Sequence, residues 1–298
     1  MSPKRSLLAL AILLLPLGAA RAQHTPWLPE EGELVLTPWY TFQTFDRFWF
    51  GDDKMDFPNT DQHTVLLATE YALLDDVQLD ATFGYTRTIG GMSGADVDDG
   101  LADTQLGLTW RVVDEFRSDA EWMPSVALRG GAIIEGTYEE NRPESPGDGA
   151  SGFETSLLLG KTYYDETVGE LGVSGEIGWR ARFEDVPEDF FFSAGAYKAF
   201  ENGFSLDVAF LHNQGLSGPD IGDPGFTFPE VKEVQGNIQY GVGYRDAAGR
   251  SINVYAAHTL YGRNTAEKLV IGVSLSIPLD VGSPAGDLLR QRSEGDDA

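Results

Sequence analysis

A rhythm of connections constrains this chain more than any motif does. After residue 32 it reads as twelve strand-like runs whose connections alternate between short and long. Turns such as Leu74-Asp75-Asp76, Asp165-Glu166-Thr167 and Glu201-Asn202-Gly203 trade places with acidic stretches such as 137–150 and 214–228. A soluble sandwich has no reason to gather its long loops at one end. An up-and-down barrel crossing an outer membrane does, because its periplasmic turns are short and its outer loops long.

The runs themselves alternate with period two. Over 77–86, Val77, Leu79, Ala81, Phe83 and Tyr85 oppose Gln78, Asp80, Thr82, Gly84 and Thr86. Over 104–112, Leu106, Leu108, Trp110 and Val112 oppose Gln105, Gly107, Thr109 and Arg111. The same pattern recurs over 65–73, 171–180, 234–244 and 269–279. Alternation alone fits a sandwich as well as a barrel. Three features favour the barrel. The second face is rich in Gly, Ser, Thr, Gln and Asn, as a tightly filled interior requires. The runs are long enough for a tilted crossing. Aromatics (Trp39, Tyr40, Phe42, Trp110, Trp179, Phe190, Tyr240, Tyr244) collect near run ends, as interfacial girdles do.

The expected fold is therefore all-β: an antiparallel up-and-down transmembrane barrel of about 12 strands. The strands are expected at 33–45, 60–73, 77–88, 101–112, 123–136, 151–164, 168–181, 190–200, 204–213, 230–245, 251–261 and 266–279. Runs 33–45 and 266–279 should pair antiparallel to close it. Loops at 46–59, 89–100, 137–150, 182–189, 214–229 and 262–265 then face outward.

Residues 1–22 read as a cleaved signal peptide. Lys4 and Arg5 precede an apolar Leu7–Leu17 run too short to span a bilayer, and Ala20-Arg21-Ala22 supplies a small-x-small cleavage pattern. The expected barrel domain covers 23–279. Residues 280–298 read as a polar periplasmic tail, disordered or loosely docked. Outer-membrane barrels usually end on a strand with a terminal aromatic. This last run ends Ser276-Ile277-Pro278-Leu279, a departure from that pattern.

The formal net charge is −26, and removing Lys4, Arg5 and Arg21 makes it −29. That charge argues against nucleic acid as a partner. A solvated acidic surface accounts for most of it; acidic loops that hold or select cations are the functional alternative. The expected partners are outer-membrane lipid and lipopolysaccharide, the barrel-insertion machinery, and a small-molecule solute of unknown identity.

Catalytic chemistry finds little support. A membrane hydrolase needs a Ser activated by a His on the same strand face, yet none of His24, His63, His212 and His258 has a Ser two residues away. His212 reads as a strand-end residue near the outer interface. Asp96-x-Asp98-Asp99-Gly100 lacks the terminal Glu and the remaining ligands of a calcium loop. No enzyme activity, metal site or cofactor is expected.

The inward charges carry the functional expectation. Glu70, Asp80, Gln105, Arg111, Arg129, Glu135, Glu154, Glu176, Arg180, Asp207, Gln239 and Arg245 fall on or near the mixed face as candidate lumen-lining residues. They serve either as ion pairs filling a narrow lumen or as a lining that tunes passage. Phe48, Trp49, Phe50 and Phe57, with Phe45, form an aromatic outer loop. It captures apolar solutes for lateral release, or packs as a plug over the mouth.

Two segments resemble the outer-membrane barrel family named for the MetA pathway of phenol degradation. The first is Trp27-Leu28-Pro29-Glu30-Glu31-Gly32-Glu33, running through Tyr40 to Phe45-Asp46-Arg47-Phe48. It is similar to that family's Pro/Gly lead-in, aromatic first strand and FDR-like loop start. The second, Asp99-Gly100-Leu101-Ala102-Asp103-Thr104-Gln105-Leu106-Gly107-Leu108, resembles its GLGD strand start, with Ala102 in place of Gly. The resemblance spans roughly 27–279. It implies passive transport of small, aromatic or hydrophobic molecules across the outer membrane. A non-conducting structural or adhesive barrel is the rival reading.

Overall fold

In a computed structural model, residues 24–92, 97–140, 142–165 and 169–286 are described. The segment expected to be a signal peptide (1–22), the end of the expected tail (287–298) and part of the turn at 165–167 lie outside them. Thirteen strands form one antiparallel sheet: β1 (Glu33–Phe50), β2 (Asp53–Leu74), β3 (Val77–Gly90), β4 (Val97–Leu101), β5 (Thr104–Val113), β6 (Ser125–Ile134), β7 (Gly152–Asp165), β8 (Gly169–Arg182), β9 (Asp189–Ala199), β10 (Phe204–Gly215), β11 (Val234–Arg245), β12 (Ser251–Arg263) and β13 (Leu269–Asp280). Each pairs with its neighbours in chain order except that β4 and β5 both pair with β3, and β1 pairs with β13 from Glu33↔Asp280 to Thr44↔Leu269. The sheet is thus closed and leaves no edge strand unpaired, which is what a membrane-spanning sheet would require, since each unpaired backbone group in lipid would cost several kcal/mol.

The barrel has twelve staves, because β4 and β5 are one stave bent at Ala102-Asp103. Both pair with β3, one residue out of register with each other. Asp103 explains the bend. Its carboxylate accepts hydrogen bonds from Gly136 N (2.9 Å) and the Tyr138 hydroxyl (2.7 Å), anchoring the following outer loop to the bulge. The motif that looked like a strand start is therefore a loop anchor as well.

The period-two alternation sets the two faces. Val65, Leu79, Phe83, Leu106, Leu108, Leu128, Ile177, Val254 and Ile271 are exposed on the outside, an apolar wall suited to hydrocarbon. Arg129, Glu154, Glu176, Thr86, Thr88 and Gln78 are buried inside. Trp39 departs from its expected girdle position. It turns inward, where its indole donates to the Tyr255 hydroxyl at 2.8 Å and meets the ring edge-on.

The first outer loop also differs from expectation. Residues 46–59 continue the β1–β2 ladder to Phe50↔Asp53, past a register shift between Phe45 and Arg47. Polar, turn-like residues (Asp46, Gly51, Asp52, Pro58, Asn59) mark the segment as loop. Packing overrides them: Phe45, Phe48, Phe57 and Ala266 form a buried cluster, with Phe50 and Ile221 against it. At the other end, residues 281–286 dock on the rim. Val281 N donates to Gly32 O and the Ser283 hydroxyl to Leu73 O, at 3.0 and 2.9 Å.

Candidate functional site

The lumen holds three stacked features: a plug, a charged belt and an outer vestibule. The plug is the segment that precedes β1. Gly32 N donates to Ala72 O at the periplasmic rim, and from there the chain runs back into the barrel. Pro26 is fully buried. The Trp27 ring lies edge-on to Tyr197 (5.8 Å between centroids), and its indole donates to Glu115 Oε1 at 2.8 Å. Deeper still, His24 Nδ1 is 3.3 Å from Glu176 Oε1. Gly160 leaves the space the plug fills, for a Cβ there would stand 2.7 Å from Trp27 Cζ2 and 2.8 Å from Pro26 Cγ.

Glu115 ties the plug to the wall. It also accepts from Thr162 N and pairs with Lys161 Nζ at 3.1 Å. Burial works to raise its carboxyl, but the hydrogen bonds from Thr162, Trp27 and Lys161 outweigh that and hold it below the usual carboxylate range. A carboxyl lowered in the folded state stabilises the anchored plug above its unfolded range, and that contribution is lost as pH falls through the lowered value. In this cysteine-free chain, a Thr25→Cys probe labelled with a pyridyl disulfide, which reacts with thiols even in acid, and referenced to the free thiol at each pH, should thus stay protected from neutral pH to about pH 4 and lose that protection below. Adding Glu115→Gln should make labelling fast at every pH. A rate independent of both would detach Glu115 from the plug.

Above the plug runs the belt. Arg129 donates to Asp80 through Nε (3.2 Å) and Nη2 (2.7 Å), and to Glu154 Oε1 through Nη1 (2.5 Å). Arg180 Nε donates to Glu154 Oε2 at 3.1 Å, and its Nη1 lies 3.7 Å from Asp189. Asp80, Arg129, Glu154, Arg180 and Asp189 thus span β3 to β9. Gly107 sits between the first two strands, where any Cβ would overlap the Arg129 and Asp80 side chains.

The other candidate lining residues fall as follows. By register Glu70, Gln105, Asp207 and Gln239 point inward, opposite Asp80, Ile133, Tyr197 and Ala257 respectively. Glu176 faces inward under the vestibule. Arg111 lies at the periplasmic rim, gripped by Asp76 (3.1 Å) and Asp114 (3.3 Å). Glu135 and Arg245 hold the inward phase but are exposed at the outer and periplasmic rims. Of the aromatic segment, Phe48, Trp49 and Phe57 are buried and Phe50 half-buried, packed in the β1–β2 hairpin rather than displayed. His212 points outward near the outer end of β10, its Nδ1 2.9 Å from the Tyr261 hydroxyl.

The vestibule is a cavity of about 390 Å³ in the outer half of the lumen, with His24 at its floor and Phe48, Phe191, Leu211 and Phe228 in its walls. Its mouth is narrowed by outer segments joined at Asn264, whose side chain makes four bonds. Asn264 Oδ1 accepts from Gly51 N and Ile221 N, and Nδ2 donates to Asp220 and to Lys232 O. Arg263 grips Asp220 and Asp52, and holds the Asp220 carboxyl below its ordinary range. Sequence reasoning missed the plug, Asp189 and the Asn264 joint. His24 and Trp27 lie in a segment without periodicity, and Asn264 in a short loop with nothing to mark it.

No protein-family model matches the chain, and no curated protein matches it. Solved structures do. The crystal structure of an outer membrane channel from Pseudomonas putida F1 is similar at a TM-score of 0.64 and 14% sequence identity, over 87% of this chain and 100% of that one. The translocator domain of the autotransporter NalP from Neisseria meningitidis aligns at 0.47 and 13%, over 92% and 93%. The KdgM porin aligns at 0.42 and 11%, over 81% and 99%. The first likeness shows a shared barrel fold.

Proposed function

We propose that this protein is an outer-membrane channel for passive uptake of small aromatic or hydrophobic molecules. Lipid and lipopolysaccharide surround its apolar wall, and the barrel-insertion machinery places it there. The observation that carries the reading is the vestibule, a ligand-sized cavity whose floor is His24, in the segment that precedes β1, rather than a paired strand. A segment outside the sheet, held by a few side-chain contacts, can move without breaking the barrel's hydrogen-bond ladder. The channel described from Pseudomonas putida F1, which shares the fold, supports the same reading, as does the resemblance to the phenol-degradation barrel family.

The sealed lower lumen is also what a non-conducting structural or adhesive barrel would show. Liposome swelling separates the two. Vesicles carrying the barrel should swell in small aromatic solutes, and faster when residues 24–28 are deleted. Vesicles that swell no faster than protein-free controls, with or without the segment, would establish the non-conducting barrel instead.

A further inference from the structure

One hydroxyl in the vestibule wall is left without a partner among the described residues. Ser193 is 9% exposed, faces the cavity, and its hydroxyl has no hydrogen-bond partner. A buried polar group left unpaired is costly, so an unpaired hydroxyl on a cavity wall points to a ligand. Its register partner on β8 is Glu176, which also faces the cavity. Glu154 is held by Arg129 and Arg180, and Asp148 by Arg182, whereas among the described residues the Glu176 carboxylate meets His24. The lining as a whole carries six carboxylates against four Arg and Lys side chains, with His24 and His212 besides.

We infer that Glu176 and Ser193 form a subsite for the ammonium group of a small organic amine. The inference rests on the vestibule being the solute path. An ammonium carries three donors: one meets the Glu176 carboxylate, one the Ser193 hydroxyl oxygen. The apolar body of the solute then lies against Phe191, two residues along the same face of β9, and Leu211, the register partner of Ser193 on β10. Asp189, next on that face, is paired with Arg180, whose guanidinium covers the other part of the Phe191 ring. A carboxylate-bearing solute would meet the same surplus as repulsion, which is how a charged site rejects the wrong partner. A neutral alcohol would satisfy Ser193 and leave Glu176 unchanged.

The test is calorimetric titration of the full-length, detergent-folded barrel with 2-phenylethylamine, 2-phenylethanol and phenylacetate. The amine should bind at least ten-fold tighter than the alcohol, and phenylacetate weakest. Glu176→Gln should weaken the amine at least five-fold and leave the alcohol unchanged. If Glu176→Gln fails to show the heat-modifiable gel shift of a folded barrel, Ser193→Ala is read in its place, with the same expected loss. No binding of any probe, equal or tighter binding of the alcohol or phenylacetate, or an amine affinity untouched by the folded variant overturns the inference. Solute flux recorded on the same preparations keeps the two claims apart. Flux without amine preference overturns the subsite alone; amine preference without flux overturns the channel and leaves the subsite standing.

Discussion

Arg129→Met should lower the stability of the barrel by about 3–5 kcal/mol, the cost of removing one partner from a buried ion pair. The arginine is 2% exposed, and the side chains it serves, Asp80 and Glu154, are 8% and 4% exposed. Glu154 keeps Arg180 after the substitution. Asp80 loses the guanidinium that binds both of its oxygens. The penalty is mostly the uncompensated carboxylate, so adding Asp80→Asn should recover part of it. Urea unfolding in phospholipid vesicles measures both. A loss below about 1 kcal/mol, the range of solvated pairs, would mean that water reaches the belt and that the lumen is wider than its packing implies.

Gly160→Val should expel the plug without disturbing the wall. The glycine lies inside β7 between register partners Ser125 and Ser174, and valine suits a strand better than glycine does. The obstacle is only the plug. A Cβ already falls within 3 Å of both Trp27 and Pro26, and the two γ-methyls of valine need more room than that. Flanking strands are tied by full ladders, whereas the plug is tied by Trp27 to Glu115 and His24 to Glu176. Overpacking typically costs about 1–3 kcal/mol, comparable with a few such contacts, so the plug is the element that yields. Gly160→Ser, with one γ-oxygen, should have a smaller effect in the same direction.

Most of the wall was legible because one physical rule writes it. A strand between lipid and lumen must alternate, so 65–73, 77–86, 104–112 and 171–180 could be read residue by residue, and the inward phase of Asp80, Arg129, Glu154, Glu176 and Arg180 followed. The rule fails where lipid ends. Residues 46–59 look like a loop because they need no apolar face, yet they extend a ladder whose stability comes from Phe45, Phe48 and Phe57 packing on Ala266. Glu135 and Arg245 hold the inward phase but lie beyond the rims, where phase no longer decides burial. Trp39 is large enough to read as a girdle residue, but it alternates with the exposed Tyr40 and so points inward, where it meets Tyr255 two strands along the wall. The plug was illegible for another reason. Its contacts join residues 88 and 152 positions apart, and no local pattern encodes a segment whose partners are that distant.

The central claim is that a closed barrel is blocked by its own N-terminal segment and conducts when that segment leaves. Single-channel recording in planar bilayers tests it most directly, comparing the intact chain, Gly160→Val and a chain lacking residues 24–28. Unitary steps that are small or infrequent in the intact chain and larger or near-permanent in both variants are the predicted result. Three identical records, whether all silent or all equally conducting, would contradict it.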